Sequence, residues 1–183
     1  MIKKLILISI IPCVLILTGY FGYKKMYPQK ERLGINVSFP EGIKTDSIIV
    51  DKSQRRMTLM NRRKEIKSYS ISLGKNPSGH KIQEGDKKTP EGTYVIDKKN
   101  PNSKYHFSLR ISYPNENDKS YAERIGVSPG GDIMVHGLPN NMNFIEDYYL
   151  NSDWTDGCIA VSNKEIEEIW TAVDEGTPIT ILP

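Results

Sequence analysis

The stretch YHFSLRISY, residues 105–113, predicts a β-strand with one apolar face. Apolar and polar residues alternate along it, and successive side chains of a strand point to opposite faces of a sheet. The apolar face would consist of Tyr105, Phe107, Leu109, Ile111 and Tyr113, and the other face of His106, Ser108, Arg110 and Ser112. A domain built on such strands is expected to be mainly β.

Short apolar segments on both sides of this stretch predict further strands. They read SIIVD (47–51), RMTLM (56–60), YSISLG (69–74), TYVI (93–96), DIMVHG (132–137), IAV (159–161) and PITILP (178–183). Helices are few: DKSYAERIG (118–126) and NFIEDYYL (143–150) predict two short ones. A third should begin just after Ser162, which forms a capping box with Glu165. Many short strands with few helices predict a β-sandwich or barrel-like domain.

The first 27 residues predict a signal anchor or transmembrane helix. Residues 5–23 are uncharged, lie between lysine pairs, and approach the roughly 20 residues that cross a bilayer as a helix. A cleaved secretory signal is the alternative, but aromatic residues stand where its small-residue cleavage site would lie. We therefore expect an anchor over 1–27, a linker over 28–45 and a folded domain over 46–183. That domain would lie outside the cytoplasm, or be secreted if the segment is cleaved.

The charge distribution argues against a nucleic-acid partner. The chain carries a net charge of +3, and its first 32 residues alone carry +5, which leaves −2 for residues 33–183. Nucleic-acid binding depends on a basic surface that neutralises phosphates. The folded part is too close to neutral to suggest one.

Cys158 is the residue whose role most needs an explanation. The other cysteine, Cys13, lies in the apolar N-terminal segment, so a disulfide between them is implausible. Zinc sites usually show close ligand pairs such as Cys-x-x-Cys, so metal binding by Cys158, His136 and Asp156 is a weak alternative. Gly157 precedes the cysteine, and main-chain N–H groups at such a loop-to-strand junction can point at an oxyanion. A nucleophilic thiol remains the best interpretation.

A nucleophilic cysteine needs a base, and three histidines are available. His80 lies in a polar loop and His106 on the polar face of its strand, so both are expected to face solvent. His136 ends the apolar segment DIMV and precedes Gly137, which places it at a strand end. Cys158 follows 22 positions later at a similar junction. His136 is therefore the candidate general base.

The pattern IMVHG…DWTDGCIAV resembles the signature of the YkuD-type L,D-transpeptidases. GDKKTPEGTY resembles the upstream Thr-Pro-x-Gly turn of that family, and VDKSQRRMTLM resembles its opening hairpin. The resemblance covers about residues 46–183. It implies that Cys158 attacks the bond between the diamino acid and D-alanine of a peptidoglycan stem peptide, with His136 as base and then acid.

The resemblance also implies the supporting residues. The carbonyl of Gly137 would orient His136, and the N–H groups of Gly157 and Cys158 would form the oxyanion hole. Trp154, Thr155 and Asp156 would be candidates for substrate contact. No metal and no cofactor are implied.

The sequence departs from the common family pattern beside the cysteine. Asp156 stands where many members have histidine, and Ala160 where many have arginine. The acyl acceptor is therefore open. An amine would give 3→3 crosslinks or attach a lipoprotein to the wall, and water would make the chain a peptidoglycan hydrolase with the same Cys158/His136 pair. A wall-binding module without activity is a third alternative.

Overall fold

The computed structural model describes residue 39, residues 42–142 and residues 145–183. The predicted anchor and most of the predicted linker lie outside these residues. Within the described part, no helix is both long and apolar enough to cross a bilayer.

The described residues form a mainly β domain, as the alternating patterns predict. Its strands are β1 (Ser47–Asp51), β2 (Arg56–Asn61), β3 (Lys64–Ser70), β4 (Gly92–Ser103), β5 (His106–Ile111), β6 (Met134–His136), β7 (Ile159–Ala160) and β8 (Pro178–Leu182). Its helices are α1 (Glu116–Arg124), α2 (Glu146–Leu150) and α3 (Asn163–Ala172). The capping box predicted for α3 is confirmed: the Ser162 side chain accepts from the Glu165 N–H, and the Glu165 side chain accepts from the Ser162 N–H.

The strands form one curled sheet in the order β3-β2-β1-β8-β4-β5-β6-β7. The β1–β8 and β6–β7 pairs are parallel, and the remaining neighbours are antiparallel. The two ends of the sheet also meet. Ser72, just after β3, exchanges two main-chain hydrogen bonds with Ala160 of β7, at 2.9 and 2.8 Å. The sheet therefore closes on itself, and β7 has a partner on each side.

The core fills the interior of the curled sheet, and α3 packs on it. Leu109 and Ile111 of β5 are buried, as the alternation predicts, together with Ile166 and Ile169 of α3. Lys99 of β4 donates its ammonium group to the carbonyl of Val173 at 2.8 Å, which caps the end of α3. These contacts fix the helix that follows β7 against the strands that precede it.

Two strands differ from the sequence expectation. β3 ends at Ser70, although Tyr69, Ile71 and Leu73 are all buried as predicted, because residues 71–74 leave the β2 ladder to meet the β7 side of the sheet. β4 extends seven residues beyond the apolar segment TYVI, through the polar residues 97–103, because β5 supplies ladder partners there. Tyr105 also differs: it lies in the β4–β5 turn and is 37% exposed.

Candidate active site

His136 and Cys158 lie on neighbouring parallel strands. His136 ends β6 and pairs with Ala160 of β7, and Cys158 immediately precedes β7. Cys158 stands two residues before Ala160, the residue that pairs with His136. A strand advances about 3.3 Å per residue and neighbouring strands lie about 4.8 Å apart, so the Cα atoms of His136 and Cys158 are about 8 Å apart. Val135 and Ile159 belong to the core, so the alternation directs His136 and Cys158 toward the opposite face of the sheet.

His136 is held in one tautomer. Its Nδ1 lies 2.6 Å from the carbonyl oxygen of Gly137. A carbonyl can only accept, so Nδ1 carries the proton and Nε2 is the basic nitrogen. Burial lowers the pKa of His136 to about 4 from 6.5, and the hydrogen bond to Gly137 opposes part of that decrease. The imidazole is therefore neutral at physiological pH.

Gly137 is tightly enclosed, which explains why a glycine follows His136. A Cβ atom at this position would lie 2.6 Å from Oδ1 of Asn163 and 3.1 Å from the carbonyl oxygen of Tyr105. The Gly137 N–H donates to that same Tyr105 carbonyl at 3.1 Å. A larger residue would push the main chain away and shift the carbonyl that orients His136.

The turn before Cys158 depends on Gly157 and Thr155. Gly157 has a φ of +130°, and a Cβ there would lie 2.6 Å from the carbonyl oxygen of Lys88. Thr155 is 4% exposed; its hydroxyl donates to the Cys158 carbonyl at 2.7 Å and accepts from the Gly157 N–H at 3.1 Å. The structure thus places the Gly157 amide and the Thr155 hydroxyl in contacts within the turn itself.

The Thr-Pro-x-Gly turn packs directly against this segment. Thr89 is fully buried, and its hydroxyl accepts from the Gly74 N–H at 3.2 Å. Gly74 in turn pairs with Thr155, and a Cβ on Gly74 would lie 2.1 Å from the carbonyl oxygen of Lys87. Residues 87–89 therefore pack against Gly74, which in turn pairs with the turn that carries the cysteine.

An ion pair fixes the start of the same segment. The Asp153 carboxylate accepts from Arg55 Nε at 3.0 Å and from Arg55 NH2 at 2.8 Å, and also from the Leu73 N–H at 2.9 Å. Arg55 donates as well to the carbonyl of Lys52. Fork-shaped contacts of this kind fix orientation as well as distance. The β1–β2 turn thereby holds the entrance to the Trp154–Cys158 segment.

Cys158 is half-buried and unpaired among the described residues. Its Sγ lies 3.6 Å from the carbonyl oxygen of Asp132. Burial raises the pKa of Cys158 to about 11; the charges of Asp132 and Asp156 add to the increase, and a main-chain hydrogen bond at Met134 opposes it. The thiol of Cys158 and the imidazole of His136 are therefore both neutral at rest.

Aromatic rings cover His136. The ring centroid of Tyr105 lies 4.5 Å from that of His136, and the centroid of Trp154 lies 5.6 Å from it at an angle of 70°. Tyr149 packs on Trp154 at 4.8 Å. His136 is 2% exposed, so these rings help to exclude water from the imidazole.

Asp156 and His80 form ion pairs with residues other than His136 and Cys158. Asp156 is exposed and pairs with Lys75 at 3.1 Å. His80, expected to face solvent, is half-buried, because its Nδ1 accepts from the Glu91 N–H and its Nε2 lies 3.1 Å from Asp118. Within residues 39, 42–142 and 145–183, no cluster of three His, Cys, Asp or Glu side chains is placed to hold a metal ion.

Comparison with known proteins agrees with this geometry. The sequence profile of the YkuD family, described as the L,D-transpeptidase catalytic domain, matches residues 45–181. The chain belongs to this family. The match includes both strand ends that carry His136 and Cys158, and the resemblance inferred from the sequence is thus confirmed.

Individual relatives of the domain are distant in sequence. The Escherichia coli K12 protein YafK is 28% identical over 110 residues, which are 59% of this chain and 37% of YafK. The helical cell shape determining protein Pgp2 from Campylobacter jejuni is 26% identical with a TM-score of 0.58, over 76% of this chain and 48% of Pgp2. Bd1075 from Bdellovibrio bacteriovorus is 28% identical with a TM-score of 0.53, over 80% and 50%. The chain thus corresponds to about half the length of these relatives or less.

Several residues around the site had no signal in the sequence. The alternation predicts Tyr105 on the apolar face of a strand, whereas its ring packs on that of His136. Arg55 and Lys75 reach the cysteine segment only because the sheet closes between residues 72–74 and 155–160. Asp132 contacts Sγ through its main chain, which no side-chain pattern can indicate.

Proposed function

We propose that the chain is a peptidoglycan L,D-transpeptidase that works through a thioester on Cys158. The observation that carries the proposal is the fixed tautomer of His136, whose Nδ1 proton is held by the Gly137 carbonyl at 2.6 Å, on the strand beside Cys158. A neutral imidazole in that tautomer presents Nε2 as the proton acceptor. Membership of the L,D-transpeptidase family supports a role in modifying peptidoglycan.

In the first half-reaction, Sγ attacks the carbonyl carbon between the diamino acid and D-alanine of a tetrapeptide stem, and His136 Nε2 takes the thiol proton. The carbon–nitrogen bond then breaks, His136 returns the proton to the leaving D-alanine amine, and a thioester remains on Cys158. Since the thiol is protonated at rest, proton transfer accompanies the attack.

The oxyanion of the tetrahedral intermediate needs donors in the turn before β7. The Gly157 amide is already engaged by Thr155 at 3.1 Å. We therefore assign the main role to the Cys158 amide, with Gly157 providing the turn geometry and Thr155 holding it. Losing one such donor typically costs about 10²–10³ in rate.

In the second half-reaction, the amine of another stem attacks the thioester and loses its proton to His136, and the thiol is regenerated. The product is a 3→3 crosslink, or a wall-attached protein if the amine belongs to a lipoprotein. Water as acceptor would make the chain a hydrolase, either a carboxypeptidase or an enzyme releasing wall-bound lipoprotein. The basis for this second function is Asp156, which stands two residues before the nucleophile, where many family members have histidine.

The setting of the reaction follows from the same proposal. Peptidoglycan lies outside the cytoplasm, so residues 5–23 would anchor the chain in the membrane with the catalytic domain on the outer side. Pgp2 is named as a determinant of helical cell shape. A comparable contribution to cell shape is a further part of the proposal for this chain.

Muropeptide composition tests the proposal. Walls from cells with the chain, without it, and with Cys158→Ala are digested and identified by mass. New 3→3 dimers that require Cys158 support the transferase, and loss of terminal D-alanine or of lipoprotein remnants supports the hydrolase. Products that do not depend on Cys158 refute both. A carbapenem adduct at Cys158 of the purified chain reports acylation independently of the acceptor.

A further inference from the structure

Lys75 is fixed beside the turn that carries Cys158, although it comes from a distant part of the chain. Its N–H donates to the Thr155 carbonyl at 2.9 Å, and the preceding residue, Gly74, pairs with Thr155 in a parallel bridge. A Cβ on Gly74 would lie 3.1 Å from the Cα of Gly157. The main chain of Lys75 therefore cannot move without moving the turn.

The Lys75 side chain forms an ion pair with Asp156 in open solvent. Nζ lies 3.1 Å from Oδ1, and the two side chains are 50% and 77% exposed. Two other lysines form buried ion pairs instead. Lys52 pairs with Glu91 and Lys81 pairs with Asp86, and the two lysine side chains are 3% and 4% exposed. An exposed ion pair contributes at most about 1 kcal/mol, so a ligand that offers both opposite charges can replace it at little cost.

The pair lies within reach of the scissile bond. Asp156 precedes the nucleophile by two residues, a distance of at most about 7 Å in a chain that advances about 3.3–3.6 Å per residue. The negative charge of Asp156 contributes to the raised pKa of the Cys158 thiol. The site thus presents one cation and one anion, side by side, close to where the acyl group is attached.

We propose that Lys75 and Asp156 form a clamp for a zwitterionic amino-acid end group, Lys75 binding its carboxylate and Asp156 its ammonium. This rests on the proposed function. A diamino acid whose side chain ends in both groups carries such a zwitterion a few bonds from the carbonyl that Cys158 attacks. A diamino acid that ends in an ammonium alone satisfies only half of the clamp.

Synthetic donor stems test the clamp on the purified full chain. Three tetrapeptides differ only at the end group, which is free, amidated at its carboxylate, or acetylated at its amine. Thioester formation is followed by intact mass. We expect the wild type to acylate about three- to tenfold more slowly with either modified donor, because each loses one charge-assisted contact.

Variants assign the preference to the two residues. Lys75→Met should reduce the discrimination against the amidated donor to within twofold, and Asp156→Asn should do the same for the acetylated donor. Lys75→Arg should restore the preference. Lys119→Met, which breaks the similarly exposed Lys119–Glu116 pair of α1, is the matched control and should discriminate like the wild type.

The same end group can also come from the acceptor stem. Acyl-enzyme prepared from the free donor is therefore offered acceptors with free or amidated ends, and discrimination in this arm alone assigns the clamp to the acceptor side. Equal use of all donors and acceptors by the wild type, or an unchanged preference in Lys75→Met, overturns the clamp and leaves the proposed function standing. No thioester from any donor overturns both.

Discussion

The buried imidazole of His136 should make the domain sensitive to mild acid. Its pKa is about 4 in the folded chain against 6.5 for an unperturbed histidine, so between these values the unfolded chain binds a proton that the folded chain does not. Stability must then fall as the pH falls through this range. Between pH 7 and pH 5 the loss from this one residue is about 2 kcal/mol.

The assay is urea unfolding of the full chain at pH 7 and pH 5, compared with His136→Gln. Glutamine stays neutral at both values, so the variant keeps the acid response of the carboxylates and loses only that of the imidazole. We expect the wild-type midpoint to fall by about 1 M urea more than that of the variant, for an m-value of about 2 kcal/mol/M. Parallel pH dependence, within 0.5 kcal/mol, would show that His136 is solvated or charged at rest and would refute the fixed neutral base.

Three further results are expected. Iodoacetamide should alkylate Cys158 at pH 7 about 100-fold more slowly than an unperturbed cysteine, because a pKa of about 11 rather than 9.0 lowers the thiolate fraction by that factor; a rate that levels off below pH 9 contradicts this. Gly157→Ala should reduce carbapenem acylation by a factor of about 100 or more. Gly157 has a φ of +130°, and an added Cβ would lie 2.6 Å from a carbonyl oxygen, so the main chain must shift and the oxyanion donor moves with it. The control Gly176→Ala, at φ +90° with open space around it, should retain acylation. Arg55→Met should lower the free energy of unfolding by about 1–3 kcal/mol, as Asp153 loses its fork-shaped partner, and a calorimetric change below 0.5 kcal/mol would show that the pair is dispensable.

The strands and the α3 cap could be predicted because they depend on local alternation and on one hydrogen-bond pattern. The apolar face of Leu109 and Ile111 and the box at Ser162 needed nothing from elsewhere in the chain. β4 could not be delimited, because its polar second half is a strand only where β5 lies opposite. The end of such a strand depends on which segment pairs with it, and the local sequence does not specify that segment.

The candidate pair could be named from the sequence because His136 and Cys158 both stand at strand ends beside a glycine. The surrounding residues could not, since the sheet closure that brings Lys75 and Arg55 to the cysteine segment joins positions about 80 to 100 residues apart in sequence. The packing of the Tyr105 ring on His136 likewise depends on the β4–β5 turn, which places Tyr105 outside the strand. Long-range closure, and not residue type, determines these neighbours.

The partner that orients His136 is a main-chain carbonyl, and this has a genetic consequence. In a Ser-His-Asp triad the orienting group is a side chain that one codon change can delete. Here every amino acid at position 137 supplies the same oxygen, so that atom persists through any missense mutation. Loss-of-function alleles that act on this orienting group should therefore alter main-chain shape, at Gly137 or at the residues that enclose it, and a suppressor should act by making room for the larger side chain.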